Sequence, residues 1–478
     1  MSSKLLKRGA LLTAGQAAGL IISFVRNMAI AKFIGRENLG ISAGFATTMM
    51  AVELASDLGM QKQVVQSPRA DAPEFLNTAH SVALLRGIVM SAILLAIAVP
   101  SANWFKAPQA VWAFQLLAVV PLLKSLVNLD TIRVQRDLRF KPFLVCELSS
   151  QLCATFVGVI AAYSSPSYAA VLYAILAQFF VSSAVSHLVA SAPYRFGWDK
   201  ETVKEITSFG WPLMFSGVLM FAGIQADRLI IAGAFTLGLL GTYEFATKLT
   251  FPPMSGLARV LNSMALPLLS NQERSAFLRR FQQISRFTTV LISLFGIACI
   301  FFVPRFIDAL FQDEYPESVQ LVGLVGILMC VRLMRIVPAQ AQLALAETKG
   351  LLVANVCRAL TVPIMAVLAF SGAGIEAVVS LLILGELLAL GSAFVWLRRF
   401  QNIPLFSAAA PILLSILFLS TVFAIDRVVF DCKFSVTWLI CGTAFTLLLA
   451  GDCVRTLWQF RNRSRKSTDL PLPQPGVN

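Results

Sequence analysis

Charge is scarce in this chain. Only 13% of the 478 residues are Asp, Glu, Lys or Arg, about half the share of about 25% found in soluble domains. Histidine is scarcer still: His80 and His187 are the only two, which argues against a histidine-rich metal site. The patterns GxxxxGK[ST], HExxH and CxxC are all missing. No ATPase module, zinc peptidase or dithiol centre is therefore expected, and neither a metal nor a cofactor. The eight cysteines (Cys146, Cys153, Cys299, Cys330, Cys357, Cys432, Cys441 and Cys453) show no paired spacing and are read as small apolar packing residues. Long polar segments able to fold alone are lacking too. With them goes the large outer loop that a membrane-embedded glycan polymerase would need for catalytic residues.

What is present is apolar sequence. Hydrophobic residues make up 57% of the chain, and the mean hydropathy is +0.75. A bilayer core about 30 Å thick takes about 20 apolar residues wound as a helix. Runs of that length are predicted at 9–31, 38–60, 79–100, 109–129, 142–162, 167–190, 207–234, 236–260, 284–304, 318–337, 350–371, 373–397, 406–425 and 435–457. Barrel strands alternate apolar and polar residues, whereas Ser91–Pro100 (SAILLAIAVP) and Leu381–Leu390 (LLILGELLAL) are apolar on all sides. The predicted fold class is all-α: a polytopic membrane protein of about fourteen helices. The first run is too long for a secretory signal and no small-residue cleavage site follows it, so it is expected to be a permanent span.

The net charge of +14 is distributed as a topology signal rather than a nucleic-acid surface. With the N-terminus in the cytoplasm, about 26 of the 39 basic residues fall in inner loops, tails or their edges and about six outside. Both termini are therefore expected in the cytoplasm, with a secondary attraction of the basic loops to anionic lipid headgroups. The segment Arg274–Arg286 (RSAFLRRFQQISR) is basic and amphipathic, and reads either as an interfacial helix or as ordinary loop.

A weak internal repeat accompanies this pattern. Phe24–Thr47 (FVRNMAIAKFIGRENLGISAGFAT) and Ile224–Thr247 (IQADRLIIAGAFTLGLLGTYEFAT) both carry an Arg late in an apolar run, a short break, a Gly and the tripeptide Phe-Ala-Thr. They start six spans apart in the same direction, which fits two parallel six-helix lobes. The expected organisation is an N-terminal lobe at 1–203, a C-terminal lobe at 204–402, two further spans within 403–460 and a basic, proline-rich tail at 461–478.

Ionisable groups at bilayer depth are costly and are functional candidates by default. Arg26, Arg86, Lys124, Arg228, Lys248, Arg259 and Arg358 are the cations; Glu53, Asp57, Glu147, Asp227, Glu244, Glu376 and Glu386 are the acids. Glu53 and Asp57 share a helix face four residues apart at the expected depth of Arg86. Two readings stay open: an ion pair locking neighbouring helices, or an acid that binds a proton or sodium ion during a cycle. Arg26 and Arg228 occupy matched positions in the two repeats. They either snorkel to the headgroups or line a cationic cleft whose planar forks fit phosphate oxygens. Trp211 and Tyr243 are candidates to stack on sugars or simply to pack.

Two further stretches carry a family resemblance. Ala29–Gly40 (AIAKFIGRENLG) and Leu54–Val65 (LASDLGMQKQVV) resemble the segments after the first helix and closing the second helix of bacterial polysaccharide exporters and oligosaccharide flippases. These form the polysaccharide transporter branch of the multidrug/oligosaccharidyl-lipid/polysaccharide exporter superfamily. The resemblance implies a flippase, not an enzyme, in the bacterial inner membrane. Its implied substrate is an undecaprenyl-pyrophosphate-linked sugar repeat, moved by alternating access for exopolysaccharide or O-antigen assembly. It implies proton or sodium coupling, a polymerase and export machinery as partners, and no nucleic acid. Arg26, Arg228, Arg86 and Lys124 would hold the pyrophosphate, and Glu53, Asp57, Asp227 and Glu147 would serve coupling or gating. Some related lipid II flippases carry arginines on both the first and second helices. This chain has Glu53 and Asp57 on the second, which favours another lipid-linked glycan. A cation-coupled drug antiporter of the same superfamily is the alternative, with lipid II flippase and glycan polymerase behind it.

Overall fold

The computed structural model describes residues 3–401, apart from 271, 312, 313, 316 and 317, together with 403 and 421. Helix dominates and no strand occurs among the described residues. The helices are α1 (Ser3–Ala55), α2 (Met60–Gln66), α3 (Pro73–Trp104), α4 (Val111–Leu116), α5 (Val119–Ser125), α6 (Asp130–Arg133), α7 (Lys141–Ser164) and α8 (Ala169–Val189). They continue with α9 (Lys200–Ala234), α10 (Leu237–Leu269), α11 (Arg274–Ile297), α12 (Val303–Phe311), α13 (Ser318–Ala344), α14 (Thr348–Ala359), α15 (Thr361–Phe370) and α16 (Ile375–Gln401). The first twelve predicted runs all fall on helical segments, with 9–31 and most of 38–60 sharing α1. The runs at 406–425 and 435–457, and the tail, lie outside the described residues. Among the described residues, eight helices are long and apolar enough to cross a membrane, or up to ten if each of two bent pairs counts as one span.

The first helix shows how two spans come from one continuous element. At about 1.5 Å per residue, α1 would reach far beyond a 30 Å hydrocarbon core. It breaks at Gly35, where φ is 73° and ψ is 167°, a region essentially closed to residues with a side chain. The break separates the predicted runs 9–31 and 38–60. At the other extreme, the basic stretch Arg274–Arg286 is regular helix, the first half of α11. Its Phe277, Phe281 and Ser285 are buried while Arg274 and Arg279 stay exposed, the amphipathic division expected of it.

The chain divides into two compact units. The first comprises Met1–Pro252, Leu310–Ser318 and Met365–Ile375. The second comprises Pro253–Ala309, Val319–Ile364 and the described residues from Glu376. In the first unit, α1, α7 and α8 pack side by side, and α9 lies against α1 and α3. One end of α9 is tied down by Arg69, whose guanidinium lies 3.1 Å from Asp199 and 3.6 Å from both Glu201 and Glu205. The other end is held by Lys106 and Trp104, which donate to the carbonyls of Phe235 (2.7 Å) and Leu229 (3.1 Å). Asp199 caps the helix, accepting from the Thr202 amide at 2.9 Å and its hydroxyl at 2.6 Å.

The two repeat segments meet inside this unit. A Cβ added at Gly40 would collide with the Leu237 carbonyl, and one at Gly241 with the Arg36 carbonyl. The contact is reciprocal: 36 touches 241 as 237 touches 40, a spacing of 201 both ways, as across a twofold interface. The aromatic surroundings repeat as well. Phe45 packs edge-on against Phe114 and Tyr168. Phe245 packs against Phe311 and stacks on Tyr315 at 4.2 Å. The small-residue crossing lets two backbones touch, as is common between membrane helices.

Candidate functional site

Four of the charged residues singled out from the sequence converge on one cavity of the first unit. Glu53 and Asp57 reach it from the end of α1, Arg86 from α3 and Lys124 from α5. Gln61 and Lys62 of α2 and the apolar Met50, Met90 and Leu129 complete much of the wall. The cavity holds about 410 Å³, within the range of about 300–1,000 Å³ usual for small-ligand sites. Its position follows from local sequence. The Leu-Gly dipeptide after Asp57 ends α1: the Asp57 carboxylate accepts from the Gly59 amide at 2.9 Å, and Gly59 takes φ 63°. Asp57 thus lies in the turn beyond Ala55, the last residue of α1, and not on a helix face shared with Glu53 as expected; the turn brings both carboxylates to the cavity.

Inside the cavity the cations are already partnered. Lys124 Nζ lies 2.5 Å from Glu53 Oε1 and 4.6 Å from the centre of the Phe179 ring. The Arg86 guanidinium donates to the Glu53 carbonyl at 3.2 Å and the Ser56 hydroxyl at 3.3 Å. Glu53 therefore gives its carboxylate to Lys124 and only its backbone to Arg86. The Arg86 Nε–H is buried with no hydrogen-bond partner among the described residues, so this arginine keeps a donor to offer.

The other candidates lie in two separate groups. Arg26 donates to the side-chain oxygens of Gln151 (2.8 Å), Gln178 (3.3 Å) and Ser23 (3.4 Å). Gln151 in turn donates to Glu147 at 3.2 Å, so an amide stands between the cation and its nearest acid. Arg228 and Asp227 belong to a buried network on α9 and α10. Arg228 Nε lies 2.9 Å from Glu244, and its Nη1 lies 3.7 Å from Asp227. Lys248 reaches Glu244 at 3.7 Å, and the Tyr243 hydroxyl donates to Asp227 at 2.6 Å. Tyr243 is thereby packed away, whereas Trp211 is 68% exposed.

Sequence reasoning had named Glu244 and Lys248 as membrane charges but not as members of this network. The i,i+4 spacing of Glu244 and Lys248 was the available signal. Arg332 and Arg335 of α13 were not counted among the membrane charges, although both fall within the predicted run 318–337; Arg335 was noted only beside Pro338 as part of a proline-bearing stretch. In the second unit these two arginines and Arg358 surround the buried Glu386, at 3.0, 3.1 and 3.5 Å.

Comparison with known proteins fits this architecture. No curated protein matches the sequence, but several solved structures share the fold. The structure titled "Lipid II flippase MurJ, inward closed conformation" superposes with a TM-score of 0.72 at 12% identity, covering 94% of this chain and 99% of that one. An inward-facing multidrug resistance MATE family transporter of the MOP superfamily gives 0.63 at 14% identity, covering 80% and 95%. A MOP superfamily transporter from Pyrococcus furiosus, whose title notes a reversed polarity of its binding pocket, gives 0.55 at 13%, covering 83% and 95%. The fold is that of these flippases and transporters, and the chain is a multi-pass membrane protein. The family profile described as polysaccharide biosynthesis protein matches residues 29–320, more than half of the chain; the protein belongs to that family.

Proposed function

We propose that this protein moves a lipid-linked oligosaccharide, carried on undecaprenyl pyrophosphate, from the cytoplasmic to the periplasmic leaflet of a bacterial inner membrane. The product would feed exopolysaccharide or O-antigen assembly, and a polymerase and export machinery would take it up. Family and fold support a transporter of this class. The observation that carries the reading is the cavity where Arg86 and Lys124 face Glu53 and Asp57. Sugars and pyrophosphate cannot enter hydrocarbon cheaply, and a polar hollow on a helical scaffold gives them a path while the prenyl tail stays in lipid.

In this reading the cavity works by exchange of anions. Without a ligand the site sets Lys62, Arg86 and Lys124 against Glu53 and Asp57, with Lys124 on Glu53. An incoming pyrophosphate offers more acceptor oxygens than one carboxylate and takes over Lys124 and the free Arg86 donor. Glu53 and Asp57 must then bind a proton or a sodium ion, which ties headgroup binding to an ion gradient. Arg26, held by amides rather than by a carboxylate, belongs to the headgroup path. Arg228, Asp227 and Glu147 exchange partners as two lobes rock in alternating access. Both termini are assigned to the cytoplasm.

The balance of acid and base in the cavity also favours a second reading, a cation-coupled drug antiporter. Proteoliposomes containing the purified protein separate the two. The proposal expects a fluorescent polyprenyl-pyrophosphate saccharide to change leaflets, and Arg86→Gln/Lys124→Gln to slow it at least tenfold while the protein stays monodisperse. Unchanged flipping by that variant would defeat the assignment. Gradient-driven uptake of a cationic drug without saccharide movement would establish the antiporter.

A further inference from the structure

The ionisable groups within the predicted spans are distributed unevenly. In the first unit, Arg26, Arg86, Lys124, Arg228 and Lys248 are matched in number by Glu53, Asp57, Glu147, Asp227 and Glu244. In the second, three arginines from two helices converge on one acid. Arg332 Nε lies 3.0 Å from Glu386 Oε1, Arg335 Nε lies 3.1 Å from Oε2, and Arg358 Nη1 lies 3.5 Å from Oε1. The cluster carries a net charge of three minus one. Among the described residues no other carboxylate lies within ion-pair distance of these guanidinium groups.

Depth makes this imbalance significant. At about 1.5 Å per residue, Arg332 stands about 21 Å from the outer end of α13 and about 18 Å from its inner end. Arg358 stands about 15 Å from the start of α14 and about 18 Å from the end of α15. Glu386 is about 17 Å into α16 from its outer end. The cluster thus lies well inside its helices, within apolar runs where uncompensated arginine is costly. Donors are in excess as well. Three guanidinium groups present roughly fifteen N–H bonds against about four lone-pair sites of one carboxylate, and Asn355 takes one more at 3.5 Å. The Arg335 Nε–H and the Glu386 Oε2, though close, make no hydrogen bond. Glu386 is 2% exposed at its side chain, yet the arginines keep 22%, 25% and 26%, so they border open space.

The local fold is built to hold this geometry. α14 runs on into α15 through Leu360, whose φ of −63° and ψ of −22° are helical, and the Thr361 hydroxyl turns back to the Arg358 carbonyl at 2.7 Å. Gly385, next to Glu386, lies so near Thr361 that a Cβ there would collide with its hydroxyl.

We propose that Arg332, Arg335 and Arg358 form a second anion site, for a doubly charged phosphate or pyrophosphate group, with Glu386 as the resident that holds the arginines in place when it is empty. The planar fork of arginine matches phosphate oxygens in pairs, and a dianion would neutralise the cluster. The group can arrive free in water or as the head of an anionic lipid. This inference does not rest on the function of the first-unit cavity.

The test titrates inorganic pyrophosphate into full-length protein in phosphatidylcholine nanodiscs. It uses an Arg86→Gln/Lys124→Gln background, so that the other cavity does not contribute. Saturable binding is expected. Adding Arg332→Gln/Arg335→Gln should weaken it at least tenfold, Arg358→Lys should weaken it less than Arg358→Gln, and Glu386→Gln should strengthen it severalfold. Repetition in phosphatidylglycerol nanodiscs separates the sources: competition by the lipid marks a headgroup site, and unchanged affinity marks a site for the free anion. Absence of saturable binding, or affinity unmoved by both the arginine changes and Glu386→Gln, overturns the proposal. Should the double arginine variant fail to fold, Arg358→Lys and Glu386→Gln decide it alone.

Discussion

At the scale of single residues, partner choice governs what each charge can do. Glu244 shows this most clearly, since it faces both Arg228 and Lys248 in a buried network. Removing one partner of a buried ion pair costs about 3–5 kcal/mol. Glu244→Gln should accordingly lower the thermal stability of the detergent-solubilised protein far more than Glu201→Gln, at an 83% exposed position. Asp199 offers a pH test outside the membrane. Its hydrogen bonds from the Thr202 side chain and amide, with help from Arg69, hold its carboxylate below the usual range. A depressed folded value means the cap stabilises fully above the ordinary carboxylate pKa and is lost as pH falls through the lower folded one. Asp199→Asn should therefore lower the melting temperature at neutral pH and converge on the parent protein as pH falls, which flattens the acid limb. A steep limb of unchanged shape would show that another group carries it.

At the scale of elements, two devices stand out: the break in α1 and the crossing of the repeat segments. Gly35→Ala places a side chain at φ 73°, in a region costing about 1–3 kcal/mol. It should reduce the yield of monodisperse protein, whereas Gly9→Ala, in open space, should not. Gly241→Val sets a branched side chain against the Arg36 backbone and should prevent that crossing, read as aggregation on size-exclusion chromatography. These elements were legible to different degrees. The runs at 142–162 and 167–190 agree within a few residues with α7 and α8, because apolar length alone sets a span. The run at 109–129 did not reveal the short helices α4 and α5 or the further bend into α6, since a bend depends on what packs behind it. Gly35 was visible as a letter, but its positive φ was not.

On the scale of the whole molecule, charge asymmetry is the property that follows from composition and can be checked without a ligand. In a chain freed of its native cysteines, Ser165→Cys, between α7 and α8, should react with an impermeant thiol reagent added outside. Lys204→Cys, on α9, should react only after the membrane is opened. The reverse result would invert the orientation assigned from the lysines and arginines.

Sequence by itself determined that the chain is helical, membrane-spanning and related to polysaccharide exporters, because bilayer thickness and the need to satisfy every backbone group leave apolar helices little choice. It also picked out several charges inside apolar runs, though not Arg332 or Arg335. Tertiary structure alone decided their company. Glu53 faces Lys124, Arg26 faces glutamines, and Arg332 and Arg335 gather with Arg358 on a single glutamate. Helix rotation and close packing select such neighbours across tens to hundreds of residues, and no pattern of spacing along one strand of sequence contains that choice.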